Sequence, residues 1–170
     1  MRKFIFKKEV PYTFKNVTGL ADFDKVGIAI FEEDKMIGGI VYRRLPTMKI
    51  FGNDFKTIAI SAIEIMPEYR NKGKGTEVIK ELLTIYDGIS AAVQEVRAWK
   101  WWKKLGAMDF MGMGDPEEEG RPNPHIHTLC FIVGKDEIET RILHTYLKLV
   151  TGLNENVTQV NKNSLKSDLI

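Results

Sequence analysis

The chain has one cysteine, Cys130, in 170 residues. A lone thiol cannot close an internal disulfide, so no covalent framework is expected, and the sequence fits a reducing compartment. Apolar runs long enough to span a bilayer are missing, so no membrane partner is expected. An excess of one charge is missing too. The net charge is +2 with no arginine-rich stripe, which argues against nucleic acid as a partner. The opening, Met1-Arg2-Lys3-Phe4-Ile5-Phe6-Lys7-Lys8, returns to lysine too soon for a secretory leader. No internal repeat stands out. A cytoplasmic protein is the expectation.

What is present has an ordinary globular balance, 44% apolar and 28% charged. The length suits one domain around one core. We read residues 1–153 as that domain, with a core over 26–133 and a C-terminal helix over 136–151. Residues 154–170 read as a polar, loose tail.

Along the chain, residues 2–9 suit a short strand. Residues 26–31 and 36–43 are β-type runs around the polar Glu32-Glu33-Asp34-Lys35, which predicts a hairpin. Residues 45–55, with Pro46, Gly52 and Asn53, read as a loop. Residues 56–66 form a long β-type run and the fourth main strand. In it Ile58, Ile60 and Ala62 share one parity, while Ile63 and Ile65 have the other. That change predicts a bulge or burial on both faces. A helix follows over 74–87, with Val78, Ile79, Leu82, Leu83 and Tyr86 as its apolar stripe. Residues 89–93 read as a fifth strand and 97–105 as a second helix. Residues 107–111 and 128–133 suit two closing strands. Asp136 and Glu139 have capping-box spacing ahead of the last helix, which reads either as a cover over an exposed face or as a packing or dimer helix, leaving a homodimer open. The mixed order implies an α+β (mixed α/β) domain.

The chemistry concentrates in Arg70-Asn71-Lys72-Gly73-Lys74-Gly75-Thr76, between a strand that Pro67 stops and an amphipathic helix. A helix N-terminus offers unpaired N–H donors and the positive end of the macrodipole. Gly73 and Gly75 let a phosphate approach the backbone, and Arg70, Lys72 and Lys74 add charge. These are the features of a diphosphate site. The Walker A order is missing, and Val78 stands where a dinucleotide loop has its third glycine.

The segment Ile65-x-Pro67-x-Tyr69-Arg70-x-x-Gly73-x-Gly75, followed by Val78-Ile79-x-x-Leu82-Leu83, resembles the central acetyl-CoA motif of the GNAT superfamily. Ala98-Trp99-Lys100-Trp101-Trp102-Lys103-Lys104-Leu105-Gly106-Ala107 resembles that family's later aromatic helix. The resemblance covers roughly residues 26–133. It implies a GNAT-like fold: a central, mostly antiparallel sheet splayed between strands 4 and 5, flanking helices, and here an extra C-terminal helix. It implies acetyl-CoA as co-substrate, without a metal, and a primary amine on a small molecule, peptide or protein as acceptor. The amine attacks the thioester directly. Main-chain groups of Ile63 and Ile65 would hold the pantetheine, and the Ile65 N–H would polarise the thioester carbonyl.

This chain departs from the family pattern in three places. Trp102 stands where many members carry the tyrosine that protonates the departing thiolate. Arg97 stands near the usual asparagine, with a CoA phosphate or solvent as its partner. Residues 11–25 have room for one helix at most, where the family fits two. The resemblance makes Glu64, on the splayed strand, and Glu95, at the end of the next, candidate bases. A solvent-facing glutamate and a helix-start carboxylate are the respective alternatives. Glu117-Glu118-Glu119 reads as a solvated loop or an attractor of a cationic amine. His125 and His127 share a strand face that Cys130 does not, too few ligands for zinc, so no metal is expected. A CoA-binding or interaction protein without turnover is the alternative function.

Overall fold

A computed structural model describes residues 2–7, 26–93, 96–111 and 129–151. Strand β1, Phe4–Lys7, pairs antiparallel with β2, Val26–Glu32, which turns at Glu33 into β3, Lys35–Arg44. The small strands β4, Met48–Ile50, and β5, Asn53–Phe55, come next, then the long β6, Thr57–Ile65. A one-turn 3-10 helix at Pro67–Tyr69 leads to α1, Lys74–Leu82. Then follow β7 at Gly88–Val93, α2 at Val96–Lys104, β8 at Met108–Met111 and β9 at Leu129–Gly134. A last helix, α3, spans 137–151. The main sheet has the order β1-β2-β3-β6-β7-β9-β8. Every neighbouring pair in it is antiparallel except β6 and β7.

Two local readings change. Residues 48–55 form a hairpin rather than a loop. Its turn residues Phe51 and Gly52 both have positive φ, 50° and 78°, which matches the twist of paired strands. An aromatic residue rarely adopts that conformation, so the turn carries little sequence signal. Helix α1 ends at Leu82 instead of running to Asp87. The Thr84 hydroxyl donates to Glu81 O at 2.6 Å, a local bond that competes with helix continuation. Asp87 is drawn to the start of β6: its N–H donates to Lys56 O, and its Oδ2 accepts from Lys56 N, each at 2.8 Å. Those bonds set Gly88 opposite Thr57 and start the parallel pairing.

The larger core cluster includes Ile30, Ile40, Ile58, Ile89 and Phe131 from the sheet, with Val78, Ile79 and Leu82 of α1 packed among them. A second cluster joins Ile132 of β9, Ile50 of β4 and Leu143 of α3. Helix α3 is therefore a packing helix in this fold, and its Asp136 Oδ1 accepts the Glu139 N–H at 2.8 Å, as the capping spacing predicts.

The parity change in the fourth main strand is a β-bulge. Val41 pairs with Ala62 but Tyr42 pairs with Ile60, so Ser61 is the extra residue. One added residue flips every later side chain to the other face. Ile63 thus packs against the same cluster that buries Ile58 and Ile60. Beyond Ser61, β3 and β6 lie unusually close. A Cβ on Gly38 would stand 2.1 Å from Glu64 O, a backbone atom that cannot yield without moving the strand.

Gly38→Ala is expected to lower stability by about 2 kcal/mol or more through this overlap. Gly27→Ala, in open space on β2, should change it by less than about 0.5 kcal/mol. Denaturant midpoints of the two variants measure the contrast, and equal shifts would contradict the close approach.

Candidate functional site

Strands β6 and β7 pair only across Thr57–Ile60 and Gly88–Ala91. Past Ile60 they part, while β6 stays bonded to β3 on its other side. This is the splay expected between the fourth and fifth main strands. The Met66 N–H donates to Ile37 O at 2.8 Å, and the register pairs Ile65 with Gly38. Backbone groups alternate sides along an antiparallel strand. The main-chain groups of Glu64 and Met66 therefore serve β3, and those of Ile63 and Ile65 point away, into the gap that β7 leaves. Ile65 O accepts a bond there from Arg70 Nε at 2.6 Å.

The gap opens into a cleft of about 470 Å³. Ile63 and Ile65 of β6, Trp101 and Trp102 of α2, and the turn residues Arg70, Asn71 and Gly73 to Thr76 line it, while Lys72 does not. Asn71 and Gly73 have φ of 59° and 73°, which reverses the chain into α1. The first bond from this stretch into the helix is Glu77 N–H to Gly73 O at 3.0 Å. The amides of Lys74, Gly75 and Thr76 come before it and have no helical acceptor. Three N–H groups and the dipole's positive end thus meet at the cleft, an arrangement suited to an anion.

Gly75 has a second role that sequence reasoning missed. A Cβ there would stand 3.3 Å from the Trp101 ring, and Trp101 Nε1–H donates to Thr76 Oγ1 at 3.2 Å. The indole thus ties α2 to the first turn of α1. Its helical spacing reads as core, and the only sequence sign of this contact is the absence of a side chain at Gly75.

The expected cations are engaged by the protein itself. The Arg70 guanidinium turns back on β6, with Nη2 3.4 Å from Glu64 Oε1. Lys72 Nζ donates to Glu68 O at 3.0 Å. Lys74 Nζ donates to Glu32 Oε1 at 2.8 Å, across the fold on β2. Glu32 is 42 residues from Lys74, and nothing in the sequence links them. Exposed Arg97 of α2 lines the cleft.

Glu64 does not line the cleft with Ile63 and Ile65. Its side chain is 18% exposed and held by Arg70. Glu95 lies outside the described residues, as do Glu117, Glu118, Glu119, His125 and His127. Among the described residues no three His, Cys, Asp or Glu side chains gather for a metal. Burial raises the Cys130 thiol pKa, which makes it a poor nucleophile. Trp102 is 4% exposed and meets Trp101 edge-on, with ring centroids 4.9 Å apart. It is a packed indole at the place of the expected phenol. No described helix is long and apolar enough to cross a membrane.

The sequence model of the acetyltransferase (GNAT) family matches residues 4–107, more than half of the chain. The protein belongs to that family. No curated protein sequence matches it. Among solved structures it is similar to Arabidopsis thaliana Naa50 in complex with a bisubstrate analogue, at 16% identity and a TM-score of 0.44, over 64% of this chain and 72% of that one. Tetrahymena GCN5 is similar at 14% identity and 0.47, over 68% and 71%. The PaiA N-acetyltransferase of Thermoplasma acidophilum, in complex with coenzyme A, is similar at 14% and 0.44, over 65% and 61%.

The Lys74 hydrogen bond, reinforced by Lys3, holds the Glu32 carboxyl below its ordinary value of 4.5. A lowered folded-state pKa adds stability that is complete above the unfolded value and lost as pH falls through the folded one. Glu32→Gln should therefore be less stable than the parent at pH 7, with the gap closing below about pH 4. Unfolding midpoints across that range check it. A gap that persists in acid would exclude the ion pair as its source.

Proposed function

We propose that the protein transfers an acetyl group from acetyl-CoA to a primary amine by direct attack of the amine on the thioester. The observation that carries this is the joining, in one cleft, of the amide row at Lys74, Gly75 and Thr76 with the edge of β6 at Ile63 and Ile65 that β7 leaves uncovered. The first suits a diphosphate. The second suits an extended amide-bearing arm, which can bond along it like an added strand. Acetyl-CoA carries both parts and supplies the activated acetyl group.

The chain's own groups then divide the work. The amides at 74–76 anchor the diphosphate end. The edge of β6 aligns the arm, and the Ile65 N–H donates to the thioester oxygen as negative charge develops there. Arg70 bonds both Ile65 O and Glu64, and so steadies the strand end and the carboxylate together. Glu64, which does not line the cleft, takes the proton from the ammonium form of the acceptor through water, because only a neutral amine attacks. As the C–N bond forms the C–S bond breaks, and the CoA thiolate takes its proton from water. Glu95 is the second candidate for that step. The family match supports acetyl transfer, and small molecules, peptides and proteins all remain within the proposed acceptor class.

One observation favours a second reading. Trp102 offers an indole N–H, a very weak acid, at the place where the resemblance implies a tyrosine. A protein that binds acyl-CoA without turning it over would tolerate that replacement.

Acetyl-CoA should raise the unfolding midpoint, with about 2.7 kcal/mol gained at a hundredfold excess over Kd. Amine-dependent release of CoA should accompany it across a panel of amines. Glu64→Gln is expected to lower kcat about tenfold to a hundredfold at neutral pH and leave acetyl-CoA affinity intact. Unchanged turnover would remove Glu64 from the step.

Trp102→Tyr distinguishes the two readings. If protonation of the thiolate limits turnover, the phenol should raise kcat about tenfold with little change in affinity. If neither form releases CoA while both bind it, the binding-protein reading stands.

A further inference from the structure

Lys74 holds the first position of α1, at the cleft, but its ammonium is turned onto β2. The Lys74 and Glu32 side chains are 18% and 21% exposed, so water and salt screen this pair less than an open surface pair. Glu32 has a second cation, since Lys3 Nζ lies 3.4 Å from the same Oε1. Lys3 also reaches Glu77 of α1, and its N–H donates to Glu81 Oε2 at 3.1 Å. Losing Lys74 would thus leave Glu32 beside one cation, Lys3, which it shares with Glu77. A lysine stem can swing its ammonium without any backbone movement.

We propose that Glu32 is an internal competitor for the cofactor's diphosphate: it withholds the Lys74 ammonium until the incoming anion draws it away, and Lys3 then takes over the carboxylate. The inference rests on the reading of the 70–76 turn as a diphosphate site. Glu32 becomes an affinity-setting residue that touches neither substrate. The same exchange couples cofactor occupancy to the contacts that hold β1, since Lys3 sits at the edge of that strand.

Calorimetry with CoA on the full chain tests this. Glu32→Gln should bind CoA about fivefold more tightly, the scale of one partly buried charge pair. The gain should need the ammonium, so Glu32→Gln combined with Lys74→Met should lose it. Lys74→Met alone should cost less than the same change made in the Glu32→Gln background. Glu32→Asp, with its shorter reach to Nζ, serves as a second variant with the same expected sign. A purely structural Glu32 would instead weaken binding on substitution. Unchanged or weaker binding in both Glu32 variants overturns the proposal, as does a gain that survives in the double variant. CoA binding to the parent without any gain defeats this inference alone. No CoA binding to the parent or any variant defeats the diphosphate reading as well.

Discussion

Ser61 stands in β6 where β3 offers no partner, and the geometry of the cleft follows from that insertion. Before it, Ile58 and Ile60 point into the core. Without it, Ile63 and Ile65 would point to the opposite face. With it they continue the same apolar wall and line the cleft beside Trp101 and Trp102. The bulge also sharpens the local twist, just where β6 must leave β7. β3 remains bonded to β6 past that point, helped by the missing side chain at Gly38. One edge of β6 is thereby satisfied by β3, and past Ile60 the other is no longer paired with β7. A strand edge of this kind is a liability on an open surface and a binding element inside a cleft.

The turn after β6 adds the second half of the site. Positive φ at Asn71 and Gly73 brings the start of α1 to the cleft with its first amides unspent. The Trp101 indole then fastens α2 to Thr76 and packs on Gly75. The two helices and the splayed strand are thus joined by short-range bonds, so the amide row and the strand edge keep a fixed relation. Under the proposed function such donors would cost little reorganisation when charge develops on the thioester. The side-chain cations around the turn are spoken for by Glu64, Glu68 and Glu32. Under the proposed function, anion binding at this turn therefore rests first on the backbone.

Much of this was legible in the residues. The parity change between Ile60 and Ile63 left a bulge or burial on both faces as its two readings, because a strand alternates with period two, and the bulge is what the structure shows. The glycine-rich turn before an apolar helical stripe announced the chain reversal at Asn71 and Gly73 and the start of α1. Asp136 and Glu139 announced the start of α3. Other features left little trace. Phe51 in a hairpin turn contradicts local propensity, and three-residue strands are too short for a periodic pattern. The early end of α1 depends on Asp87 bonding Lys56, a tertiary contact that outweighs a continuing apolar stripe.

By itself, the order of residues determined the α+β class, the family and the position of the glycine-rich turn before α1, since these rest on local periodicity and on motifs contiguous in the chain. Tertiary structure alone decided where the charges went. Arg70 folds back on Glu64, Lys74 crosses to Glu32, and Gly75 yields its space to Trp101. Those pairings form between segments up to 42 residues apart. Long flexible side chains choose among partners by distance and burial in the folded chain, and a linear sequence holds neither.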